Sequence, residues 1–283
     1  MPRASEGLMI DSLDQIAFIG FGEAGAAFAA PMVSGGRGTP SAYDREGLAA
    51  KAGDFAAAGV RGMATNGEAV AGMALILSLV TADQTLAAAR ESAAGIAPET
   101  FYCDGNSVAP QTKRQAAAFI EAAGGHYVDV AVLAPAYPLQ MGVPLMLAGA
   151  RAAEARDALM AIGFNNVAVA GDEVGQAAAI KMIRSVMIKG IEALSAELAD
   201  AADAAGVRAA VVASLDASWR SDLGWGARID GALERMAKHG LRRAAEMDEV
   251  AATLAVLGVD NAMAVATARK QRAAGTVCRE QAA

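Results

Sequence analysis

The chain has 283 residues, of which 54% are hydrophobic, enough for one large or two ordinary domains with a sizeable core. Its 24 basic and 31 acidic residues give a formal net charge of −7, which argues against a nucleic-acid partner because phosphate binding needs clustered Lys and Arg. The two cysteines, Cys103 and Cys278, lie far apart without metal-ligand spacing, so neither a metal site nor a disulfide framework is predicted.

The N-terminal segment, residues 1–14, is expected to be a loose extension. It has no apolar signal region. The longest charge-poor run, residues 69–80, is shorter than the ~18–20 apolar residues that a membrane span needs. We therefore expect a cytoplasmic protein with no membrane partner, and Cys103, within a predicted strand, is expected to be a small core residue.

Short apolar runs alternate with Ala-rich helical stretches up to about residue 170. The predicted strands are residues 15–20, 41–44, 59–62, 74–80, 100–104, 126–132, 143–149 and 166–171. Residues 81–94 and 110–123 have helical length and period, and the second helix is bounded by Pro110 and by Gly124–Gly125. Strand–helix alternation of this kind predicts βαβ units, hence an α/β fold with a doubly wound parallel sheet.

The pattern changes from Asp172 onward. Apolar residues in steps of three and four predict one long amphipathic helix over residues 173–206. Residues 225–258 and 260–274 are predicted to be further helices, and we see no convincing strand among them. We therefore place a domain boundary near residue 171, between an α/β domain (15–171) and an all-α C-terminal domain (172–283).

A glycine-rich loop joins the first predicted strand to a helix. Its residues are Gly20, Phe21, Gly22, Glu23, Ala24 and Gly25, which fit GxGxxG. The first glycine permits a tight turn, the second lets the backbone approach a pyrophosphate, and the third allows close helix–strand packing. The alternative is a turn without a ligand, since a Gly- and Ala-rich chain produces this pattern by chance. The strand–loop–helix context favours a Rossmann-type dinucleotide site.

A second element supports that site. Asp44 ends the next predicted strand, 19 residues beyond Gly25, where a carboxylate accepts hydrogen bonds from the adenosine ribose. The adjacent Arg45 could serve a 2′-phosphate or stack on adenine, and the alternative for Asp44 is a turn residue. We expect NAD or NADP, with NAD slightly preferred. The residues that would border the nicotinamide ribose are Leu79, Val80 and Thr81.

Two polar groups are candidates for the chemistry. Asn106 and Ser107 lie where a strand gives way to a helix, a position suited to holding a substrate carboxylate or to helix capping. Lys181 lies on the first turns of the long helix among apolar residues. A partly desolvated lysine can act as an acid or base, and the alternative is a lysine whose ammonium group reaches solvent.

These elements, in this order, resemble the β-hydroxyacid dehydrogenase family, which includes 3-hydroxyisobutyrate and 6-phosphogluconate dehydrogenases. The similarity spans roughly residues 15–275 and is carried by residues 18–25, 102–114 and 171–185. Residues 78–83, 181–190 and 242–250 resemble a bacterial sub-branch of unclear substrate. The resemblance implies hydride transfer between a nicotinamide and a hydroxy acid or its keto or semialdehyde form, with Lys181 as general acid/base. It also implies a homodimer, and substrate contacts from Asn106, Ser107, Arg184 and Ser185.

Several positions depart from the family pattern. Ser185 stands where the family usually has Asn, with Arg184 before it. Leu133-Ala134-Pro135 corresponds to a Ser-Gly-Gly loop whose N–H groups hold the substrate acid, and proline has no N–H. Together with Tyr137, this apolar loop predicts a larger or less acidic substrate.

Two competing functions are C=N reduction, as in imine-reductase-like relatives, and NAD(P) binding without turnover. Lys181 counts against the first, because such relatives generally lack the lysine. Loss of the Asn and of the Ser-Gly-Gly loop keeps the second open. In the helical domain, the candidate contacts to the far end of a substrate are Trp225, His239, Arg242 and Arg243, with packing as the alternative.

Overall fold

A computed structural model describes residues 10–218 and 224–282. The strands are β1 (Ile16–Ile19), β2 (Ser41–Tyr43), β3 (Arg61–Gly62), β4 (Leu75–Ser78), β5 (Phe101–Asp104), β6 (His126–Val132), β7 (Leu145–Ala148) and β8 (Val167–Gly171). The first helices are α1 (Glu23–Gly35), α2 (Leu48–Ala58), α3 (Asn66–Val70), α4 (Thr85–Ala93), α5 (Pro110–Ala122), α6 (Ala136–Leu139) and α7 (Ala152–Ala161). The later helices are α8 (Gln176–Ala204), α9 (Arg208–Ser218), α10 (Trp225–Val256) and α11 (Ala262–Ala282). Short 3-10 helices cover Leu13–Gln15, Ala82–Gln84 and Gln140–Gly142.

The strands form one sheet in the order β3-β2-β1-β4-β5-β6-β7-β8. All neighbours from β3 to β6 are parallel, which confirms the Rossmann-type fold. The prediction of a wholly parallel sheet is wrong at one edge, because β7 pairs antiparallel with β6 and β8 follows β7. The segment between β6 and β7 holds only α6 and a 3-10 helix, too little for the crossover that a parallel pair requires.

Both faces of the sheet are covered, which explains why the strands read as continuous apolar runs. In β1, Ile16 and Phe18 pack into one buried cluster, whereas Ala17 and Ile19 pack into the cluster on the opposite face. Three of the eight strands, β1, β4 and β5, are buried throughout, and the centre of β6 is buried as well. The carboxyl ends of β1, β2, β4 and β5 therefore come to one edge of a rigid layer.

The predicted helices are confirmed, with shifted ends. Pro110 is the first residue of α5, and Gly124 lies just beyond its end with φ +85°. The long helix α8 begins at Gln176, because Gly175 before it has φ +102°. Helix α11 runs on to Ala282, and α9 is a helix that the sequence pattern did not single out.

By contacts, the chain divides into two compact units that meet between Arg184 and Ser185, within α8. The described residues beyond β8 contain helices and no strand, as predicted for the C-terminal region. In the second unit, α10 and α11 approach closely at two glycines: a Cβ on Gly240 would lie 2.3 Å from the carbonyl oxygen of Gln271. None of the helices in the described ranges has the length and hydropathy to cross a membrane.

The expected N-terminal extension, residues 1–14, lies mostly outside the described residues. From residue 10 onward the chain is packed. Leu13 is buried in the core, and its N–H donates to the carbonyl oxygen of Arg37 at 2.8 Å.

Candidate active site at the carboxyl edge of the sheet

The three glycines of the loop after β1 have different surroundings. Gly20 has φ +85°, and a Cβ there would lie 2.6 Å from the carbonyl oxygen of Leu79. A Cβ on Gly25 would lie 3.1 Å from the carbonyl oxygen of Gly20, against the turn itself. A Cβ on Gly22 would meet no atom within 4 Å. The fold therefore requires glycine at position 20 and leaves little room for a side chain at position 25, whereas nothing in the protein's own packing restricts position 22.

The open face of Gly22 fits a phosphate group. Gly22 is the N-cap of α1, and no side chain caps this helix end. The first amide groups of a helix have no acceptor inside it and carry its partial positive charge, so they attract an anion. The residues present thus fit the pyrophosphate of a dinucleotide.

A cavity of about 350 Å³ extends from the glycine loop. Its walls include Gly20, Gly22, Tyr43, Asp44, Arg45, Glu46, Lys51, Leu79, Val80 and Thr81. It opens at the point where the strand order reverses between β1 and β4, the place where dinucleotides bind in doubly wound sheets.

Asp44 accepts hydrogen bonds from two backbone N–H groups and also lines the cavity. Its Oδ1 accepts from the N–H of Glu46 at 3.0 Å, which makes it a turn residue. Its Oδ2 accepts from the N–H of Phe21 at 2.7 Å, which ties the end of β2 to the glycine loop. A carboxylate has about four acceptor positions, so Asp44 keeps acceptor capacity towards the cavity that it lines.

A second cavity, of about 490 Å³, shares Leu79, Val80 and Thr81 with the first. Its other lining residues are Glu23, Ala24, Ala82, Gly105, Asn106, Ser107, Val132, Ala134, Pro135, Ala136 and Lys181. Here the Nζ atom of Lys181 donates to Oγ of Ser107 at 2.6 Å. Ser107 is exposed and Lys181 half-buried, so the pair lies at the surface of the cavity.

Asn106 lines the same cavity, but its amide is engaged inside the protein. The residue is buried, its Oδ1 accepts from the N–H of Val80 at 2.7 Å, and its Nδ2 donates to Oγ of Ser78 at 3.1 Å. Asn106 therefore joins the loop after β5 to the end of β4. The helix-cap alternative for Asn106 and Ser107 is wrong, because the N-cap of α5 is Ala109.

Of the remaining predicted substrate contacts, Arg184 is the last residue of the first unit and the others belong to the second unit. Arg184 donates from Nη1 to the carbonyl oxygen of Leu133 at 3.1 Å, so its guanidinium holds the loop after β6. Ser185 follows on α8 and belongs to the second unit. His239 and Arg243 are half-buried residues of α10 in that unit, and the side chains of Trp225 and Arg242 lie outside the described ones.

Cys103 is fully buried in β5, beside the site but turned into the core. Burial raises the pKa of its thiol to about 12, so it stays protonated and unreactive, as expected of a small core residue. The described residues contain no group of His, Cys, Asp and Glu that could hold a metal ion.

The sequence analysis missed a buried charged cluster next to the site: Lys113, Asp104 and Asp129, each fully buried. One signal could have found it. Lys113 occupies the first position of the apolar stripe of α5, whose other members are Ala116, Ala117 and Ile120. A lysine at a core position of a helix requires a buried partner.

A Rossmann-type sheet with a glycine loop and a cavity at its switch point is an architecture that many dinucleotide-dependent oxidoreductases share. Residues 15–171 match the model of the NAD binding domain of 6-phosphogluconate dehydrogenase, and residues 202–274 match a domain of unknown function. The chain therefore belongs to the 6-phosphogluconate dehydrogenase-like family of NAD(P)-dependent oxidoreductases, within the wider group of 3-hydroxyacid dehydrogenase-like proteins.

Solved structures agree with this assignment. A conserved hypothetical protein from Sinorhizobium meliloti 1021 is 34% identical, with 98% of this chain and 93% of that chain covered and a TM-score of 0.64. A conserved protein of unknown function, reported as similar to 3-hydroxyacid dehydrogenases, is 28% identical over 95% of this chain and 99% of that chain, with a TM-score of 0.62. The imine reductase of Streptomyces aurantiacus shares the fold, at 22% identity, 95% and 99% coverage and a TM-score of 0.74. No curated protein matches the chain.

Proposed function

We propose that this protein is an NAD(P)-dependent dehydrogenase or reductase that acts on the CH–OH group of a hydroxy acid, or on its keto or semialdehyde form, with Lys181 as general acid/base. One observation carries the proposal. The ammonium group of Lys181 contacts Ser107 at 2.6 Å on the wall of a cavity that shares Leu79, Val80 and Thr81 with the nucleotide cavity.

The cofactor would be held by residues whose geometry fits it. The open face of Gly22 and the start of α1 would take the pyrophosphate, and Asp44 would accept from the adenosine ribose. We favour NAD over NADP because the Asp44 carboxylate repels a 2′-phosphate, although Arg45 lines the same cavity. The nicotinamide, when bound, accepts or supplies a hydride.

In the oxidative direction, Lys181 in its neutral form would accept the O–H proton of the alcohol, while the bound nicotinamide would supply the hydride acceptor for its C–H hydrogen. The alcohol would thereby become a carbonyl compound and Lys181 would become protonated. In the reductive direction, the Lys181 ammonium donates a proton to the developing alkoxide. Ser107 would hold the amine against the reacting oxygen, and this positioning is a large part of the catalytic effect.

The substrate cavity supports the expectation of a larger or less acidic substrate. Ala134 and Pro135, from the segment that corresponds to the Ser-Gly-Gly loop, form part of its wall, and Pro135 has no N–H to offer a carboxylate. Lys181 is the cationic side chain among its described lining residues. If Lys181 is engaged with the reacting oxygen, a substrate carboxylate finds little charge compensation here.

The C-terminal helical region, residues 172–283, is proposed to be a substrate and dimerisation domain, in a cytoplasmic homodimeric protein with a small-molecule substrate. Its helices display several large apolar side chains that are more than a third exposed, such as Leu194, Leu198 and Val212. Exposed apolar area of this kind favours association with a second subunit.

Imine reduction is the second candidate, and the same apolar wall favours it. A neutral imine needs no anion cradle, and the Lys181 ammonium could protonate its nitrogen as hydride reaches its carbon. The third candidate is NAD(P) binding without turnover. In that case no molecule bound in the cavity next to Lys181 would exchange a hydride with the cofactor.

The deciding experiment is a substrate panel assayed by absorbance of the reduced nicotinamide. It would contain hydroxy acids of increasing size, their aldehyde and keto forms, and cyclic imines, each with NAD(H) and NADP(H). We expect turnover of a bulky hydroxy acid or its carbonyl form. Turnover of imines alone would support the second candidate, and cofactor binding without any turnover the third. Equal rates for glyoxylate-sized and bulkier acids would contradict the proposed substrate class.

A further inference from the structure

The buried charged cluster connects three elements of the first unit. Lys113 of α5 lies with its Nζ 3.0 Å from Oδ1 of Asp104, at the end of β5, and 3.4 Å from Oδ1 of Asp129, in β6. Nζ also donates to the carbonyl oxygen of Asp104 at 2.5 Å. All three residues are fully buried, so one ammonium group faces two carboxylates in the core.

Asp104 fixes the loop that carries Ser107. Its Oδ1 accepts from the N–H of Asn106 at 2.9 Å, and its Oδ2 accepts from the Tyr127 hydroxyl at 2.5 Å. Burial, followed by the neighbouring Asp104 carboxylate, raises the pKa of Tyr127 well above its ordinary value, so the hydroxyl stays a donor. The loop after β5 is thus anchored to the Asp104 carboxylate, which is itself held by Lys113 and by Tyr127.

Asp129 fixes the start of α8. Its Oδ2 accepts from the N–H of Gly175 at 3.1 Å and from the N–H of Ala178 at 2.9 Å. A carboxylate at this place satisfies amide groups that the helix cannot satisfy itself, and it interacts favourably with the positive end of the helix dipole. Lys181 follows Ala178 by three residues on the same helix, about one turn away.

The cluster therefore reaches both partners of the Lys181–Ser107 contact. Asp104 holds the residue before Ser107, Asp129 holds the turn before Lys181, and Lys113 lies between the two carboxylates. Stability alone explains such a cluster poorly, because apolar residues of similar volume often serve a core as well as or better than buried ions. Apolar residues, however, could not accept hydrogen bonds from the backbone N–H groups of the loop after β5 and of the start of α8.

We propose that Asp129 and Lys113 are positioning residues that set the distance between Lys181 and Ser107. Neither touches the cavity; they act through the start of α8 and through the loop after β5. The inference rests on the proposed role of Lys181, but it makes a claim about geometry that can be measured without substrate or cofactor.

The test measures acetylation of Lys181 by acetic anhydride in the full chain, with mass spectrometry, at limiting reagent. Lys51, whose Nζ donates to Asp54 at 2.8 Å, is the internal reference. Ser107→Ala shows how fast Lys181 reacts once its hydrogen bond to Ser107 is lost. We expect Asp129→Ala and Lys113→Met to raise acetylation of Lys181 at least threefold, towards the Ser107→Ala rate, with that of Lys51 unchanged.

Thr100→Val is the matched control. Thr100 is buried and donates from Oγ1 to the carbonyl oxygen of Met73 at 2.8 Å, outside the cluster. The Thr100→Val variant loses this buried hydrogen bond, which does not involve α8. Lys181 is therefore expected to react in this variant as it does in the wild type. The proposal is overturned if Asp129→Ala changes the acetylation of Lys181 no more than Thr100→Val does.

If Asp129→Ala does not fold, Asp129→Asn gives a second measurement, because its amide oxygen still accepts but carries no charge. Amide hydrogen exchange at Gly175 and Ala178 is then expected to rise at least tenfold relative to the rest of α8. Unchanged exchange at both amides overturns the proposal. Failure of the proposed function is seen separately, as full turnover by Lys181→Ala on the substrate panel, and leaves these measurements valid.

Discussion

The backbone N–H of Phe21 donates to Oδ2 of Asp44 at 2.7 Å, so the ribose-binding carboxylate of the proposed site also holds the glycine loop. Two segments that would contact neighbouring parts of a dinucleotide, its pyrophosphate and its adenosine ribose, are thereby fixed to each other before any ligand arrives. A change at Asp44 is expected to act on the loop as well as on the ribose.

Asp44→Ala is therefore expected to weaken NADH binding by roughly tenfold or more, since hydrogen bonds to a charged group are lost on both sides. Asp44→Asn keeps an acceptor for the Phe21 N–H but removes the repulsion of a 2′-phosphate. We expect it to bind NADPH better relative to NADH than the wild type does. Fluorescence titration with both cofactors measures this, and an unchanged ratio in both variants would show that Asp44 is only a turn residue.

Gly20→Ala and Gly22→Ala separate the folding role of the loop from its binding role. At Gly20, the positive φ and the 2.6 Å approach to Leu79 predict a loss of roughly 1–3 kcal/mol in the free energy of unfolding. At Gly22, a methyl group meets no protein atom, so stability is retained while cofactor binding falls at least tenfold. Denaturant unfolding and cofactor titration of both variants test the pair. Normal cofactor binding by Gly22→Ala would contradict a phosphate site at this glycine.

Lys181→Ala is expected to lower turnover by roughly 10²–10⁴-fold, the range of general acid–base catalysis, with cofactor affinity within about twofold of the wild type. The amine lies on the wall of the second cavity and not among the residues that line the nucleotide cavity. Lys270→Ala, at an exposed position of α11, is the control and should leave the rate unchanged. If Lys181→Ala retains most of its rate, another group moves the proton.

Cys103 is expected not to react with thiol reagents in the native protein. Because burial raises the pKa of its thiol to about 12, almost no thiolate exists at pH 8. In a Cys278→Ser variant, Ellman's reagent is expected to detect no thiol per chain under native conditions and one in denaturant. Rapid native reaction of this variant would mean that β5 opens readily.

Much of the fold could be predicted from the sequence, because its signals are local. All eight strands lie within the predicted apolar runs, and Pro110 and Gly124 bound α5 through their own backbone preferences. The reversal of β7 is different. It depends on what the segment between β6 and β7 can span, and no residue within β7 encodes its direction.

The site was predictable only in part, for a similar reason. Residue type and position along the chain are enough to place the glycine loop and Lys181 near the carboxyl ends of the parallel strands. They do not show that the Asn106 amide is engaged by Val80 and Ser78, or that Arg184 holds Leu133, because these bonds join segments far apart in the chain. The dual use of Asp44 likewise needs the position of Phe21, 23 residues earlier.

The trio of Lys113, Asp104 and Asp129 also constrains how this chain can drift during evolution. Losing the lysine first would leave two anions facing each other in a dry interior, and losing Asp129 first would strip a helix of its cap. Viable intermediates between this arrangement and an uncharged one are therefore few. Among homologues, we expect the three positions to be inherited or replaced as a set, even where the walls of the neighbouring cavity diversify.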